Sequence, residues 1–384
     1  MFKATIESGK AVVLAAAVLT ATVGSALAQG AAEEVALPHT FEAGTPARAS
    51  EVNDNFRTLA EAASANAAKS AENSTRISGL ESSLGEIETA LESLALPSNV
   101  ITVGRDGADF TSVAEALSFT GDAGEDNPML VRVLPGIFEE SELVRVPAFV
   151  RLQGSGRGIT VIRASRSSTQ QNGESAVVEL EDRASLSDLT IVNTGAGSTF
   201  AIGILAFGAS RATIVRNVES SADGEGGTGH FGMRISESDI TIVDSVLRAS
   251  GASTVNTALG STDSNGAFAQ PLVKDSLLDG DGVNSGFGIQ MTRTAIDVRD
   301  SEVSGQFRAI STSVAGISRV KNSRVETLGL APVYQQTGSG AILSDNVFFV
   351  GGNAEGLASR FRYVHCVKAN FAPVVNGDGS TVQP

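Results

Sequence analysis

A repeated pattern in the second half of the chain is the feature that most constrains its fold. Short β-branched runs recur with an Asp or Asn near a fixed place, as in VRNVES, VKDSLL, VRDSEV and VKNSRV. The repeated position is held by Asp188, Asn217, Asp244, Asp275, Asp300, Asn322 and Asp345. Successive members lie 29, 27, 31, 25, 22 and 23 residues apart. One strand-forming unit in roughly two dozen residues fits one coil of a parallel β-helix.

The composition agrees with an all-β fold, because 41 Gly and no Trp suit a chain that turns often and packs small side chains. In a β-helix the inward aliphatic residues stack from coil to coil, which predicts Val243, Val273, Val298 and Val320 as core. A β-sandwich is the alternative, but it needs short hairpin turns, whereas the loops here are longer and regularly spaced. We therefore predict a right-handed parallel β-helix over residues 100–384, preceded by an N-terminal coiled-coil helix.

The first 28 residues have the pattern of a secretory signal peptide. Lys3 and Lys10 precede the apolar run AVVLAAAVLTATV, and small residues end at Ala28. The run is shorter than the roughly 20 residues that span a bilayer, and no later segment is a candidate transmembrane anchor. We predict a signal peptide over 1–28, a linker over 29–44, and export to the periplasm, the medium or the cell surface of a bacterium.

A strict heptad pattern occupies residues 45–96, with Thr45 as a candidate N-cap and Ser50 as a second one. Alternating steps of four and three residues connect Val52, Phe56, Leu59, Ala63, Asn66, Ser70, Asn73, Ile77, Leu80, Leu84, Ile87, Leu91 and Leu94. Leu at a and Ile at d favour three or four strands, so we predict a coiled-coil stalk that makes a homotrimer. A helix packed against the side of its own β domain is the alternative. The stalk resembles those of trimeric autotransporter adhesins and phage fibres, in which Asn at d is frequent.

The charge balance bears on the partners of the protein. There are 28 basic and 43 acidic residues, for a formal net charge of −15. Such a surface repels nucleic acid unless basic groups cluster locally, so we predict no nucleic-acid partner.

The C-terminal segment SRFRYVHCVKANFAPVVNGDGS departs from the repeat and concentrates Phe361, Tyr363 and Phe371. We predict that it forms a cap that closes the last coil. It contains Cys366, the only cysteine of the chain, which is predicted to be buried as a small apolar group. An internal disulfide and a cysteine-based metal site are both excluded.

Four segments near the start of the β region carry a family resemblance. ITVGRDGADFTSVAEAL, VRVLPGIFEES, VRLQGSGRGITVIRA and LSDLTIVNTGAG resemble the successive first blocks of pectin methylesterases, which belong to the pectin lyase-like superfamily. The resemblance covers about residues 101–197 and implies a short end-capping helix over 111–117. The later blocks that carry the catalytic glutamines, aspartates and Arg-x-x-Trp of that family do not occur in this sequence. The resemblance therefore implies the fold, without the machinery of an esterase.

A basic residue precedes the repeated Asp or Asn in four coils, namely Arg216, Lys274, Arg299 and Lys321. We predict that these side chains form a stripe on one outward face, where coils about 4.8 Å apart align the cations with an acidic polysaccharide. The alternative is a solvated edge, on which the cations pair with nearby acids.

The remaining candidates for chemistry are weak. Asp279 and Asp281 lie two apart in LLDGDGVNSG and are the best calcium candidates, although Asp and Gly there also suit a plain turn. The aligned acids Asp244, Asp275 and Asp300 are interpreted as a corner ladder rather than as a hydrolase site. No phosphate loop or metal-ligand spacing is present, so no cofactor and no catalytic residue are assigned.

These observations predict an exported, non-catalytic β-helix protein that binds carbohydrate or mediates surface adhesion and is carried on an oligomeric stalk. A polysaccharide-active enzyme of lyase, hydrolase or pectinesterase type, whose site the sequence does not locate, is one alternative. A structural spacer is the other.

Overall fold

The structure is a computed structural model of the chain. It describes residues 35–94, 99–195, 197, 199–262, 270–282, 285–313, 316–329, 331–335, 341–351, 355–356, 361–369, 374–375 and 381–382. The predicted signal peptide over 1–28 lies outside these residues. The chain divides into two compact units, residues 1–95 and residues 96–384.

The first unit contains one long helix, α1 (Ala49–Leu94). It confirms the predicted helix, but the expected cap at Thr45 is wrong. Thr45 instead donates its hydroxyl to the carbonyl oxygen of Glu42, and the backbone N–H of Arg48 donates to a Glu51 carboxylate oxygen at 3.4 Å. Glu51 thus bonds an amide that the first turn leaves unsatisfied. The single chain displays the helix without a partner helix among the described residues of this unit.

The second unit is built from short strands. The strands of its first half are β1 (Val100–Val103), β2 (Met129–Val133), β3 (Gly136–Glu139), β4 (Val144–Val146), β5 (Val150–Gln153), β6 (Thr160–Ala164), β7 (Ala176–Leu180), β8 (Ser185–Asn193), β9 (Phe200–Phe207), β10 (Ile214–Ala222), β11 (Gly229–Ser236), β12 (Thr241–Val243), β13 (Val246–Ala249) and β14 (Val255–Thr262). Those of its second half are β15 (Leu272–Lys274), β16 (Leu277–Gly280), β17 (Gly286–Thr292), β18 (Asp297–Arg299), β19 (Glu302–Gly305), β20 (Arg308–Ser313), β21 (Ile317–Lys321), β22 (Arg324–Thr327), β23 (Ala331–Gln335), β24 (Ala341–Asp345), β25 (Phe348–Val350), β26 (Glu355–Gly356), β27 (Phe361–Val364), β28 (Val367–Lys368), β29 (Val374–Val375) and β30 (Thr381–Val382).

These strands form a parallel β-solenoid, which confirms the predicted parallel β-helix. Nine of the described strands make one parallel sheet, in the order β4-β7-β9-β11-β14-β17-β20-β23-β26. Another 19 make a larger sheet, to which each coil of the second half contributes two strands separated by a bend. A typical coil runs β12, β13, β14, and each strand pairs in parallel with its counterpart in the next coil, β15, β16 and β17.

The core consists of aliphatic columns that run through successive coils. Val273 pairs in register with Val298, and Val298 with Val320, and all three are buried as predicted. The prediction for Val243 is wrong, because the buried residue of its strand is Ile242, which pairs with Val273. Val243 is half-buried and lies in the outward column, since neighbouring residues of a strand face opposite sides.

A short helix, α2 (Val113–Ser118), follows the first strand, within two residues of the span that the family resemblance implied. Ser112 is its N-cap and accepts the N–H of Glu115 through its hydroxyl at 3.2 Å. Val113, Ala116 and Leu117 are buried in the same core cluster as the solenoid aliphatics.

The C-terminal segment continues the solenoid further than its sequence suggested. β27 and β28 pair in parallel with β24 and β25, so residues 361–368 form another part-coil where a cap was expected. Phe361, Tyr363 and Cys366 are buried, and the Tyr363 ring meets the Phe349 ring edge-on at a centroid distance of 5.6 Å. A small antiparallel pair, β29 and β30, comes after this coil, and Phe371 lies outside the described residues.

Candidate ligand-binding grooves on the solenoid surface

A column of left-handed residues marks the bend between the two strands that each coil gives to the large sheet. Its members have φ between 49° and 61° and are Asp188, Asn217, Asp244, Asp275, Asp300, Asn322, Asn346 and His365. Asn and Asp occupy left-handed φ more readily than most residues, which explains their recurrence at this place. In the last repeat the sequence pattern selected the wrong residue: Asp345 pairs with Lys321 one position earlier, and Asn346 makes the bend.

Buried serines fix the backbone just after the bend. The hydroxyl of Ser276 donates to the carbonyl oxygen of Lys274 at 2.7 Å and accepts the backbone N–H of Ser245, one coil earlier, at 3.1 Å. Ser301 and Ser323 repeat this arrangement in the following coils. Each hydroxyl therefore joins two coils, and the bend is held in the same place from coil to coil.

Amide side chains connect the bend residues at the two ends of the column. Asn217 donates its Nδ2 to Asp188 at 2.8 Å, and Gln153 donates its Nε2 to the same carboxylate at 3.0 Å. Further along, Asn322 donates to Asp300, and Asn346 donates to Asn322, each at 3.0 Å. Burial raises the pKa of Asp188, but these hydrogen bonds to its charged form outweigh burial, so the pKa lies below its ordinary value.

In the middle of the column, Asp244 and Asp275 have no such amide donor among the described residues. Asp244, Asp275 and Asp300 follow one another on successive coils and line a groove with a cavity volume of about 590 Å³. Glu302 adds a fourth carboxylate, while Arg157 and Arg324 bring positive charge to the same groove. We call this site the aspartate groove.

The predicted basic stripe lies in one outward column on the first strands of the coils. Arg216 pairs in register with Val243, Val243 with Lys274, Lys274 with Arg299, and Arg299 with Lys321. Val243 therefore interrupts the stripe. Three of its cations also have nearby carboxylates: Lys274 lies 3.1 Å from Asp275, Arg299 lies 2.6 Å from Asp297, and Lys321 lies 3.8 Å from Asp345.

The last two members of this stripe, Arg299 and Lys321, line a second groove with a cavity volume of about 460 Å³. We call this site the basic groove. It is lined by Arg299, Arg319, Lys321, Leu343, Arg362 and Val364, with Asp297 and Asp345 beside them. Arg319 pairs in register with Leu343, and Leu343 with Arg362, so an exposed leucine separates two arginines along the neighbouring outward column. No carboxylate within 4.0 Å pairs with Arg319 among the described residues.

Arg299 is the most strongly held cation of the basic groove. Its guanidinium donates to both carboxylate oxygens of Asp297, at 3.0 and 2.6 Å. This hydrogen bonding, together with the charge of Asp297, raises the pKa of Arg299. Arg299 is therefore less available to a ligand than Arg319, for which the described part of the chain provides no carboxylate within 4.0 Å.

Sequence reasoning missed Arg319 and Arg362 because it followed only the residue that precedes the bend. Residues two apart in a strand lie on the same face. Arg319, two residues before Lys321, could therefore have been assigned to the same face from the sequence. Arg362 belonged to the segment interpreted as a cap, where no repeat position was assigned.

The weak calcium candidates, Asp279 and Asp281, each accept a hydrogen bond from the next coil. Asp279 accepts a hydrogen bond from Ser304 at 2.7 Å, and Asp281 accepts one from Gln306 in the next coil. Within the described part of the chain, no three His, Cys, Asp or Glu side chains are arranged to hold a metal ion. His230 is buried in β11, with its Nδ1 at 2.5 Å from the Ser250 carbonyl oxygen.

No protein-family model matches the sequence, and no curated protein sequence does. Solved structures do match. The crystal structure of pectate lyase Pel9A superposes with a TM-score of 0.51 at 13% identity, covering 71% of this chain and 76% of that chain. DFA-IIIase from Arthrobacter chlorophenolicus A6 has a TM-score of 0.49 at 13% identity, covering 66% and 72% of the two chains. Pectin methylesterase from Aspergillus niger has a TM-score of 0.39 at 14% identity, covering 64% and 87%.

At this level of identity the likeness to pectate lyase concerns the fold alone. The chain has a parallel β-helix fold similar to that of this pectate lyase, as the family resemblance of its first coils implied. Among the described residues, no helix is long and apolar enough to cross a membrane.

Proposed function

We propose that the protein is an exported, non-catalytic β-helix that binds an acidic polysaccharide, or adheres to a surface that carries one, through the basic groove. The observation that supports this proposal most directly is the position of Arg319 and Arg362 on one outward column, with Leu343 between them. Two coils separate these arginines by about 10 Å. A guanidinium binds a carboxylate with two parallel hydrogen bonds, so each arginine suits one acidic sugar.

The surroundings of the two arginines support the same ligand. Leu343 and Val364 are exposed and offer apolar contact to the C–H face of a sugar ring. Lys321 adds a third cation within the groove. The protein as a whole carries a formal charge of −15, so a local cluster of cations is needed for an anionic polymer to bind. The signal-peptide pattern of residues 1–28 supports export to the place where such polymers occur.

Binding to polygalacturonate and alginate, with neutral dextran as the negative control, tests the proposal. We expect Arg319→Gln/Arg362→Gln to weaken binding at least tenfold, because a charge-assisted hydrogen bond contributes about 1.5–3 kcal/mol. Arg248→Gln is the matched control, since Arg248 pairs with Glu219 outside the basic groove. Equal affinities for the double variant and the unaltered protein would rule out the basic groove.

We also propose that α1 assembles as a coiled coil and that the protein is a homotrimer. The heptad pattern over residues 45–96, with Leu at a and Ile at d, supports this state over a dimer. Light scattering of the mature chain from residue 29 is expected to give the mass of three chains. The mass of one chain would contradict the proposal.

A polysaccharide-active enzyme is the second candidate, and the aspartate groove favours it. Glycosidic hydrolysis uses two carboxyl groups on either side of the bond, and Asp244, Asp275 and Asp300 offer carboxylates on successive coils. Incubation with the same polysaccharides, followed by assay of reducing and unsaturated ends, distinguishes the candidates. Release of ends would support the enzyme, and retention without release supports the binding module. If the protein neither releases ends nor retains the polysaccharide, the structural spacer is the remaining alternative.

A further inference from the structure

The apolar stripe of α1 is open in the single chain. Phe56 is 65% exposed, Ile77 is 56% exposed and Leu84 is 50% exposed, and Leu59 and Leu80 are also exposed. These residues recur at steps of three and four, so they share one face of the helix. Burying a side chain of this size contributes about 1.5–3 kcal/mol, and the single chain forgoes that contribution at five positions.

The segment before α1 is hydrogen-bonded to the helix. The side chain of Asn55 accepts the backbone N–H of His39 at 3.0 Å and donates to its carbonyl oxygen at 2.7 Å. Asn55 precedes Phe56 in the heptad and therefore lies on the flank of the stripe. The segment that it holds carries three further exposed large apolar side chains, Val35, Leu37 and Phe41.

We propose that the occupant of this surface is the same stripe of further copies of this chain, which run in the same direction and in register. The inference rests on the oligomeric stalk of the proposed function. It adds the relative direction of the chains in that stalk and their register. Both follow from charged and polar residues that border or interrupt the stripe.

The charges on the flanks favour parallel chains. Arg76 lies at g and Glu81 at e of the next heptad, five residues later. In a parallel, in-register coiled coil, this g position meets the e position of the neighbouring chain. Each Arg76 is then placed beside the partner's Glu81, and the same pair recurs at every interface around the assembly.

The polar layers favour the same arrangement. Asn66 and Asn73 lie at d and Ser70 at a, in the middle of the stripe. With parallel chains in register, each of these residues meets its own copy, so the amides hydrogen-bond to one another within the layer. A shift of one heptad would keep one Asn66–Asn73 contact between neighbouring chains, but it would set the other amides against Leu59 and Leu80 and leave them unsatisfied.

An antiparallel arrangement fits less well. The register that best matches the large apolar residues sets Phe56 against the partner's Leu80, and Ile77 against the partner's Leu59. That register places Asn73 against the partner's Ala63 and Lys69 against the partner's Lys69, which combines an unsatisfied amide with like-charge repulsion. In this register residue 87 lies opposite Ala49, the first residue of the partner's helix. The last two turns of α1, from residue 88 on, therefore have no partner helix beside them.

The parallel direction has a consequence for binding. All chains leave the stalk at the same end and each carries one basic groove, so the assembly offers several copies of the groove to one long polysaccharide. A long polysaccharide that binds one groove is then presented to the next at a high effective concentration, which raises the apparent affinity by about 10²–10⁴ without any new contact.

Cysteine crosslinking of the full mature chain tests the direction. The background is Cys366→Ser. Cys366 donates to the Val364 carbonyl oxygen, and two coils earlier Ser323 makes the equivalent hydrogen bond to the Lys321 carbonyl oxygen, so a serine fits this position. Ala63→Cys and Asn73→Cys are each expected to form a disulfide with their own copy on mild oxidation. Ala68→Cys, on the opposite face of α1, is the matched control that does not crosslink.

A mixture of the Ala63→Cys and Asn73→Cys chains separates the outcomes. Parallel chains hold these two positions about 15 Å apart along the helix, which is too far for a disulfide, so no mixed crosslink is expected. Mixed crosslinks in place of self-crosslinks would overturn the parallel direction while leaving the oligomeric stalk intact. No crosslink in a protein with the mass of one chain would overturn both. Glycan binding by the same preparations tests the basic groove separately.

Discussion

Large apolar side chains are exposed on helix α1 but buried in the β-solenoid of the same chain. In the solenoid, residues such as Leu186, Ile204 and Ile242 have no solvent-exposed surface. In α1, Phe56 and Ile77 are more than half exposed. The difference arises because each coil of a solenoid has its neighbours in the same chain, whereas a single helix has only one apolar face and nothing of its own to cover it.

The largest expected effect concerns the helix. Replacing Ile77→Asn and Leu84→Asn together removes two layers from the stripe in every copy, and we expect the assembly to fall to single chains in light scattering. The melting transition of the solenoid should not change. Thr75→Asn with Ser82→Asn, on the opposite face, is the matched control and should keep the mass of the assembly. If the Ile77→Asn/Leu84→Asn variant remained an oligomer, the exposed stripe of α1 would not be the surface that holds the chains together.

The next effect concerns the solenoid core. Ile242→Ala is expected to lower the free energy of unfolding by about 2–5 kcal/mol, because it leaves a cavity in a closed column. Val243→Ala, one residue further on and half-buried, should cost less than about 1 kcal/mol. Urea unfolding of the two variants measures the difference. Equal losses would mean that the strand register is wrong.

A smaller effect depends on pH. Because the pKa of Asp188 in the folded protein lies below its ordinary value, its charged form stabilises the fold above about pH 4, and that contribution is lost as the pH falls through the folded pKa. Asp188→Asn should be less stable than the unaltered protein by about 1 kcal/mol at pH 6. The gap should narrow below pH 4 in urea titrations. A gap of constant size down to pH 2 would count against the hydrogen bonds to this carboxylate.

The smallest effect is a gain in stability. Asp275→Asn places an amide between Asp244 and Asp300, as Asn217 does beside Asp188. We expect the new hydrogen bond and the relief of like charge to stabilise the protein by about 0.5–1.5 kcal/mol. The loss of the exposed ion pair between Lys274 and Asp275 reduces this gain. Asn322→Asp reverses the change and should destabilise the protein. A loss of stability in Asp275→Asn would mean that the ion pair of Asp275 with Lys274 contributes more than the new hydrogen bond and the relief of like charge.

Much of the fold could be predicted because a solenoid repeats its local chemistry. The left-handed bend favours Asp or Asn, and that preference marks the coils from Asp188 to Asn322. Spacing did not fix which neighbour faces inward, since an offset of one residue exchanges the two faces of a strand. Val243 was misplaced for that reason, and Asp345 was chosen in place of Asn346.

The candidate site was predictable only in part. The stripe from Arg216 to Lys321 follows from the repeat and does form one column. Its interruption by Val243, and the pairing of Arg299 with Asp297, depend on residues from different positions of the coil. Arg319 and Arg362 became a site only when the coils were stacked, because 43 residues separate them along the chain.

The sequence by itself determined that the chain forms coils, where each coil bends, and that a long helix precedes them, because these depend on short-range preferences that recur at a regular spacing. Only the tertiary structure decided which side chains share a groove. Stacking brings residues from different coils within about 5 Å, and their pairing sets which charges remain available to a ligand.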